Sequence, residues 1–188
     1  YGEIFDSISI CLSKSIGAPI GSVLVGSLKF INKANHFKKQ QGGGIRQAGI
    51  ITSMALVALN GDWKSRIQYS HDLAHSFAEF CIKNGIPLQS SPDSSFIFID
   101  LKKANMNPDV LVKNGSKYGV KLMGGRIAFH YQISPQTLEN VKSAVLDTYN
   151  YSKEHPFDSS FSNKIYRATG SAKVDSKLNG HSNLEIKT

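Results

Sequence analysis

Apolar and polar side chains alternate along residues 7–12 (Ser7, Ile8, Ser9, Ile10, Cys11, Leu12), the period-two pattern of a strand. Residues 13–21, punctuated by Gly17, Pro19 and Gly21, read as a loop. Residues 22–25 then form a second short strand closed by Gly26. Ser27 is positioned to cap a helix running to about Gln41, with Leu28, Phe30, Ile31 and Phe37 apolar and the lysines on other faces. Gly42-Gly43-Gly44 stops it. From 47 to 59 the residues are small or apolar nearly all round, which predicts a helix buried on every side. Asp62 is the expected N-cap of a helix over 63–84, ended by Gly85 with Pro87 just beyond. Phe96, Ile97, Phe98 and Ile99 make a nearly continuous apolar strand. Asn107 followed by Pro108 opens a helix ending near Gly119. Residues 120–123 and 127–131 read as a pair of strands bent at Gly124-Gly125. Ser134-Pro135 starts the last helix, with Leu138, Val141, Val145 and Leu146 at helical spacing. Beyond Pro156 the chain is rich in Ser, Asn and Lys and sparse in apolar residues, the composition of an extended tail.

These elements fall into two differently composed halves, 7–59 and 63–153, the second alternating helix and strand as an α+β unit. The length, 188 residues, suits about one domain with a real core. Two Cys and 16 Gly without a period exclude disulfide scaffolds and collagens, and there is no sustained heptad or internal repeat. No apolar run approaches the roughly 18 residues of a membrane span, and these residues show no basic-then-apolar signal pattern, so a cytoplasmic or organellar-matrix setting without membrane contact is expected. The chain begins at Tyr1, not Met, and enters a strand almost at once, so it reads as a piece of a longer protein.

Charge narrows the choice of partner. There are 22 Lys+Arg against 14 Asp+Glu, a formal net charge of +8. The cations are dispersed, however, with Lys38-Lys39 and Lys102-Lys103 the densest pairs, and no recognition helix or stacking aromatic stands beside them. Nucleic acid is therefore not the expected partner. A small phosphate or carboxylate ligand needs only a few of these cations. Cys11 and Cys81 sit among apolar neighbours and read as small hydrophobes.

Three segments could carry chemistry. Lys14 follows a strand's C-terminal end between Ser13 and Ser15, where ligand-binding side chains gather in α/β proteins. Apolar surroundings would favour its neutral, nucleophilic form and suit imine chemistry with an aldehyde cofactor. By composition alone an ordinary loop lysine is the stronger reading. The glycines 42–44, flanked by Lys39 and Arg46, either expose N–H groups to a phosphate or partner chain or form a plain interhelical turn. Arg126, entering an apolar strand, calls for an anion, either a ligand carboxylate or an internal acid. His71-Asp72-Leu73-Ala74-His75 has the spacing of a zinc-binding helix, but Asp replaces the expected Glu and no third ligand lies nearby, so no metal is expected. His130, on a strand, reads as a packed residue.

In combination, the stretch from Ile8 to Gly26, the triple-glycine segment through Gly49, Trp63-Lys64-Ser65, Phe96-Ile97-Phe98 and Lys121-Leu122-Met123-Gly124-Gly125-Arg126 resemble low-specificity L-threonine aldolases of the fungal branch, over their C-terminal half. The likeness runs from the first residue to Phe157. It implies an α/β chain of pyridoxal-phosphate fold type I: the end of a large cofactor-binding domain (1–61), a small α+β C-terminal domain (62–155) and a tail (156–188). It also implies that Lys14 is the catalytic Schiff-base lysine, with Ser13 beside it at the cofactor. Lys39 and Arg46 would lie near the cofactor phosphate, often across a dimer interface, and Arg126 would clamp the carboxylate of an amino-acid substrate. The cofactor is pyridoxal 5'-phosphate, and the expected assembly is a homo-oligomer, a dimer of dimers. The implied reaction is cleavage of L-threonine or L-allo-threonine to glycine and acetaldehyde. The family's phosphate loop, ring-stacking His, pyridine-facing Asp and second carboxylate-binding Arg precede the lysine strand and are missing here. The 188 residues alone are therefore expected to be inactive. Two rivals are a β-eliminating lyase for another β-substituted amino acid and a non-catalytic subunit that docks on a full-length partner.

Overall fold

A computed structural model describes residues 1–157 and gives a mixed α/β arrangement. In chain order the elements are β1 (Ser7–Cys11), β2 (Ser22–Gly26), α1 (Leu28–Gln40), α2 (Ala48–Leu59), α3 (Trp63–Lys83), β3 (Phe96–Phe98), α4 (Pro108–Lys117), β4 (Arg126–Ala128) and α5 (Pro135–Glu154). Local capping chemistry accounts for several boundaries. The Ser27 side chain accepts from the Phe30 N–H, Asn107 from the Asp109 N–H with Pro108 at the first helical position, and Ser134 from the Thr137 N–H. Asp62 departs from expectation: it makes no cap bond to the backbone and instead accepts from the Ser65 hydroxyl at 2.6 Å.

The strands among the described residues form two separate antiparallel pairs. β1 runs against β2, with Ser7 opposite Gly26 and Cys11 opposite Ser22. β3 runs against β4, with Phe96 opposite Ala128, Ile97 opposite Ile127 and Phe98 opposite Arg126. The expected strand over 120–123 is not formed. That segment has no ladder partner among the described residues, while Val120 and Leu122 turn into the core. Of the expected strand over 127–131, only its start belongs to β4, which pairs with β3 instead of folding back on 120–123.

The main core lies between the β3–β4 pair and helices α3, α4 and α5. Phe77, Ile97, Ile99, Met106, Leu111 and Val145 are its largest fully buried apolar side chains. Among the described residues its buried polar side chains are satisfied. Thr148 donates to the Ala144 carbonyl at 2.7 Å and accepts from the Asn114 amide at 3.0 Å, which joins α4 to α5. A second, much smaller cluster joins Leu12 and Ala18 to Ala55 of α2, flanked by Ile16 and Ala58.

Helix α2 corrects the sequence reading. It was expected to be buried all round, yet Ala55 is its only buried residue; Ile50 is 67% exposed and Val57 74%. Its sequence has no polar stripe, so one apolar side meets the Leu12–Ala18 loop and the remainder faces outward. Among the described residues, no helix is long and apolar enough to cross a membrane. The tail expected from 156 onward is described only at Pro156 and Phe157, where the Phe157 N–H donates to the Asn105 carbonyl; the rest lies outside the described residues.

Candidate functional site

The β1–β2 connection carries Lys14 on a backbone tied at three points. The Leu12 N–H donates to the Gly21 carbonyl (3.0 Å), the Ala18 N–H to the Leu12 carbonyl (2.9 Å), and the Gly17 N–H to the Lys14 carbonyl itself (2.9 Å). Leu12 and Ala18 turn inward onto Ala55, and the loop is thereby seated on α2. Lys14 and Ser13 are exposed. The sequence reading placed the lysine in apolar surroundings. The described residues do not bury it, because its apolar neighbours face α2.

Cys11 also differs from its expected role as a packed hydrophobe. Its half-exposed Sγ lies 3.5 Å from the Ser13 hydroxyl. Hydrogen bonding with Ser13 lowers its pKa below the ordinary thiol value, and the charge of Lys14 and the Ser22 hydroxyl act in the same direction. Cys81 is fully buried in the main core, and burial pushes its thiol up to about 12. Alkylation by iodoacetamide near pH 8 is expected to modify Cys11 and spare Cys81 in the folded protein, as read by peptide mass spectrometry. Denaturation should make both equally reactive.

Lys39 lies in the last turn of α1, and Arg46 just before α2; both are exposed. Neither side chain makes a hydrogen bond or ion pair among the described residues. The glycines between them do not form an open cradle. The Gly42 N–H donates to the Lys39 carbonyl (3.2 Å) and the Gly43 N–H to the Lys38 carbonyl (2.8 Å), so two of the three N–H groups close the end of α1. Ala48 to Ala55 is seven residues, or roughly 10 Å of helix rise. Arg46 therefore stands at the end of α2 remote from the part that seats the Lys14 loop.

Arg126 begins β4, half-buried, on the sheet face opposite the buried Ile97 and Ile127. Its guanidinium carbon lies 4.4 Å from the centroid of the Phe96 ring. The side chain also lines a cavity of about 400 Å³ with Leu122, Met123, Phe129 and Thr137 among its walls. The preceding Gly125 fixes where the strand begins. The Ile99 N–H donates to the Gly125 carbonyl at 2.8 Å, and a Cβ on Gly125 would lie 2.7 Å from the Ile99 oxygen and 3.0 Å from Leu101 Cγ. No side chain fits there without moving backbone. Gly125→Ala is expected to cost about 1–3 kcal/mol of stability, measured by urea unfolding, and to displace Arg126.

One residue was not singled out from the sequence. Arg66, in the first turn of α3, places Nη1 3.8 Å from the position a Cβ on Gly17 would take, so the guanidinium rests against the Lys14 loop. The same guanidinium sits 5.0 Å over the Tyr131 ring, whose other neighbour is the His130 ring at 4.3 Å. Arg66 thus bridges the lysine loop and the segment following β4. Nothing in the local sequence marks it, because an arginine on a polar helix face is ordinary. Of the predicted site residues, only Ser13 and Lys14 are neighbours; Lys39, Arg46 and Arg126 stand on other elements. His71 and His75 lie along α3, and no group of three or more His, Cys, Asp or Glu able to hold a metal occurs among the described residues.

Comparison with known proteins adds a family and relatives. Residues 1–104 match the family model described as beta-eliminating lyase. The whole chain is 62% identical over 188 residues to a low specificity L-threonine aldolase of Saccharomyces cerevisiae, covering 48% of that protein. It is 61% identical over 168 residues (89% of this chain) to the low-specificity L-threonine aldolase of Eremothecium gossypii, covering 44% of it. The Candida albicans low-specificity L-threonine aldolase is 54% identical over 157 residues, which are 83% of this chain and 42% of that one. The chain therefore spans about half the length of the curated relatives it matches.

Proposed function

This chain belongs to the beta-eliminating lyase family, and from that premise we propose that it is the C-terminal part of a low-specificity threonine aldolase. In this reading the full-length protein cleaves L-threonine and L-allo-threonine to glycine and acetaldehyde. The observation that carries it is 62% identity to the S. cerevisiae aldolase across every residue of the chain. Finer details of the fold, a fold type I large domain ending near residue 61 and a small domain over 62–155, belong to the same proposal. The two separate apolar clusters support that division.

The family depends on pyridoxal phosphate, and the donor set here fits that group. The exposed primary amine of Lys14, held by fixed backbone, is what an aldehyde needs to bond. When bound, the cofactor supplies an electron sink for the pair released as the substrate's Cα–Cβ bond breaks. Lys14 would hold it through Nζ, with the exposed Ser13 alongside. Arg126 pairs with the substrate carboxylate, and this contact fixes the orientation of Cα. Lys39 and Arg46 offer positive charge to a phosphate. In this reading both serve the site of a second copy of the chain, and the position of Arg46 at the end of α2 away from Ala55 supports it. The outward apolar side of α2 supports such an oligomer.

The test is product analysis with the full-length protein and L-threonine. Equimolar glycine and acetaldehyde support the proposal. Ammonia and a keto acid would instead identify a lyase that eliminates from another β-substituted amino acid. The isolated 188 residues should release no acetaldehyde, and turnover by them would overturn the view that the chain is half of the catalytic unit.

A further inference from the structure

We infer that Phe96 is a positioning residue for Arg126, its ring holding the guanidinium in place for a carboxylate. The inference deepens the proposed function and rests on its assignment of Arg126 to the substrate carboxylate. The antiparallel register creates the pairing. Phe98 lies opposite Arg126 and Phe96 opposite Ala128, so Phe96 and Arg126 are diagonal neighbours on one sheet face. Ala128 is small and exposed, and from its place across the ladder it does not crowd the Phe96 ring. The guanidinium carbon at 4.4 Å from the ring centroid is well inside the range of a cation–π contact.

The geometry separates two needs of a substrate clamp. A cation–π contact does not use up the guanidinium N–H donors, which stay able to pair with a carboxylate. A flexible arginine must lose rotamer freedom when a carboxylate arrives, whereas one held against a ring has already lost part of it. The strand beneath is fixed as well, because Gly125 is bonded to Ile99 and packed against it without room for a Cβ. Phe96 therefore acts on binding more than on bond breaking. Its effect belongs in KM and in the affinity for carboxylate ligands.

The experiment uses the full-length holoenzyme with Phe96→Leu, Phe96→Tyr and Arg126→Lys. Phe96→Leu is expected to raise KM for L-threonine about fivefold and to weaken glycine binding, measured by calorimetry, by the same factor. Its kcat should stay within about twofold, and its affinity for pyridoxal phosphate should not change. Phe96→Tyr keeps the ring face and should restore the parent's KM. Equal impairment by Leu and Tyr, or weakened cofactor binding, would assign Phe96 to packing and overturn the inference. If Arg126→Lys raises KM while Phe96→Leu does not, the inference fails and the assignment of Arg126 stands. If Arg126→Lys leaves KM and glycine affinity unchanged, that assignment fails and the inference falls with it.

Discussion

Lys14→Ala in the full-length protein is expected to abolish the long-wavelength absorbance that pyridoxal phosphate gains on joining a lysine. It should also slow threonine cleavage by on the order of a thousandfold or more. The fold should hardly notice. Lys14 is exposed, its side chain makes no hydrogen bond or ion pair among the described residues, and its carbonyl can still accept from the Gly17 N–H after substitution. Surface changes of this kind usually stay within about 0.5 kcal/mol, so the thermal unfolding midpoint of the apoprotein serves as the control. A variant that retains both the absorbance and the activity would remove Lys14 from the mechanism.

The second large effect is on stability. Phe77 is fully buried on α3, with its ring 5.5 Å from that of Phe129 and 6.1 Å from that of Phe80. Phe77→Ala removes a whole ring from the centre of the main core. The expected loss is about 3–5 kcal/mol, from the lost transfer energy and the cavity left behind. It should be measured as a lower urea midpoint in the full-length protein and as faster amide hydrogen exchange at Ile127 and Phe129. Ile82→Ala on the same helix, at a residue 71% exposed, should cost less than about 1 kcal/mol. Because Phe129 follows β4 directly, the weakened core should also loosen the strand bearing Arg126 and raise KM.

The sequence was most legible where structure follows from local chemistry. Ser27, Asn107-Pro108 and Ser134-Pro135 each started a helix where expected, since a capping oxygen needs only the N–H groups two or three residues on. It was least legible where the answer lay in distant partners. Residues 120–123 look like a strand, but a strand needs a neighbour, and β3 took Arg126–Ala128 instead. Asp62 looked like a cap until Ser65 took its carboxylate. The apolar run of α2 correctly predicted a helix, yet hydrophobicity states only that a surface benefits from cover and not what covers it.

The candidate site divides in the same way. Lys14, Ser13, Lys39, Arg46 and Arg126 became candidates in one dimension, because residue type and spacing carry a family likeness that needs no coordinates. The sequence also carried the punctuation of the helices and the family itself. The seating of the lysine loop on Ala55, the bridge of Arg66 between Gly17 and Tyr131, and the placing of Arg126 over the Phe96 ring came from the folded chain alone. Each joins residues 30 or more positions apart. Contacts at that separation depend on strand register and helix packing, which sum many weak terms over the whole core, and no local pattern of side chains encodes them.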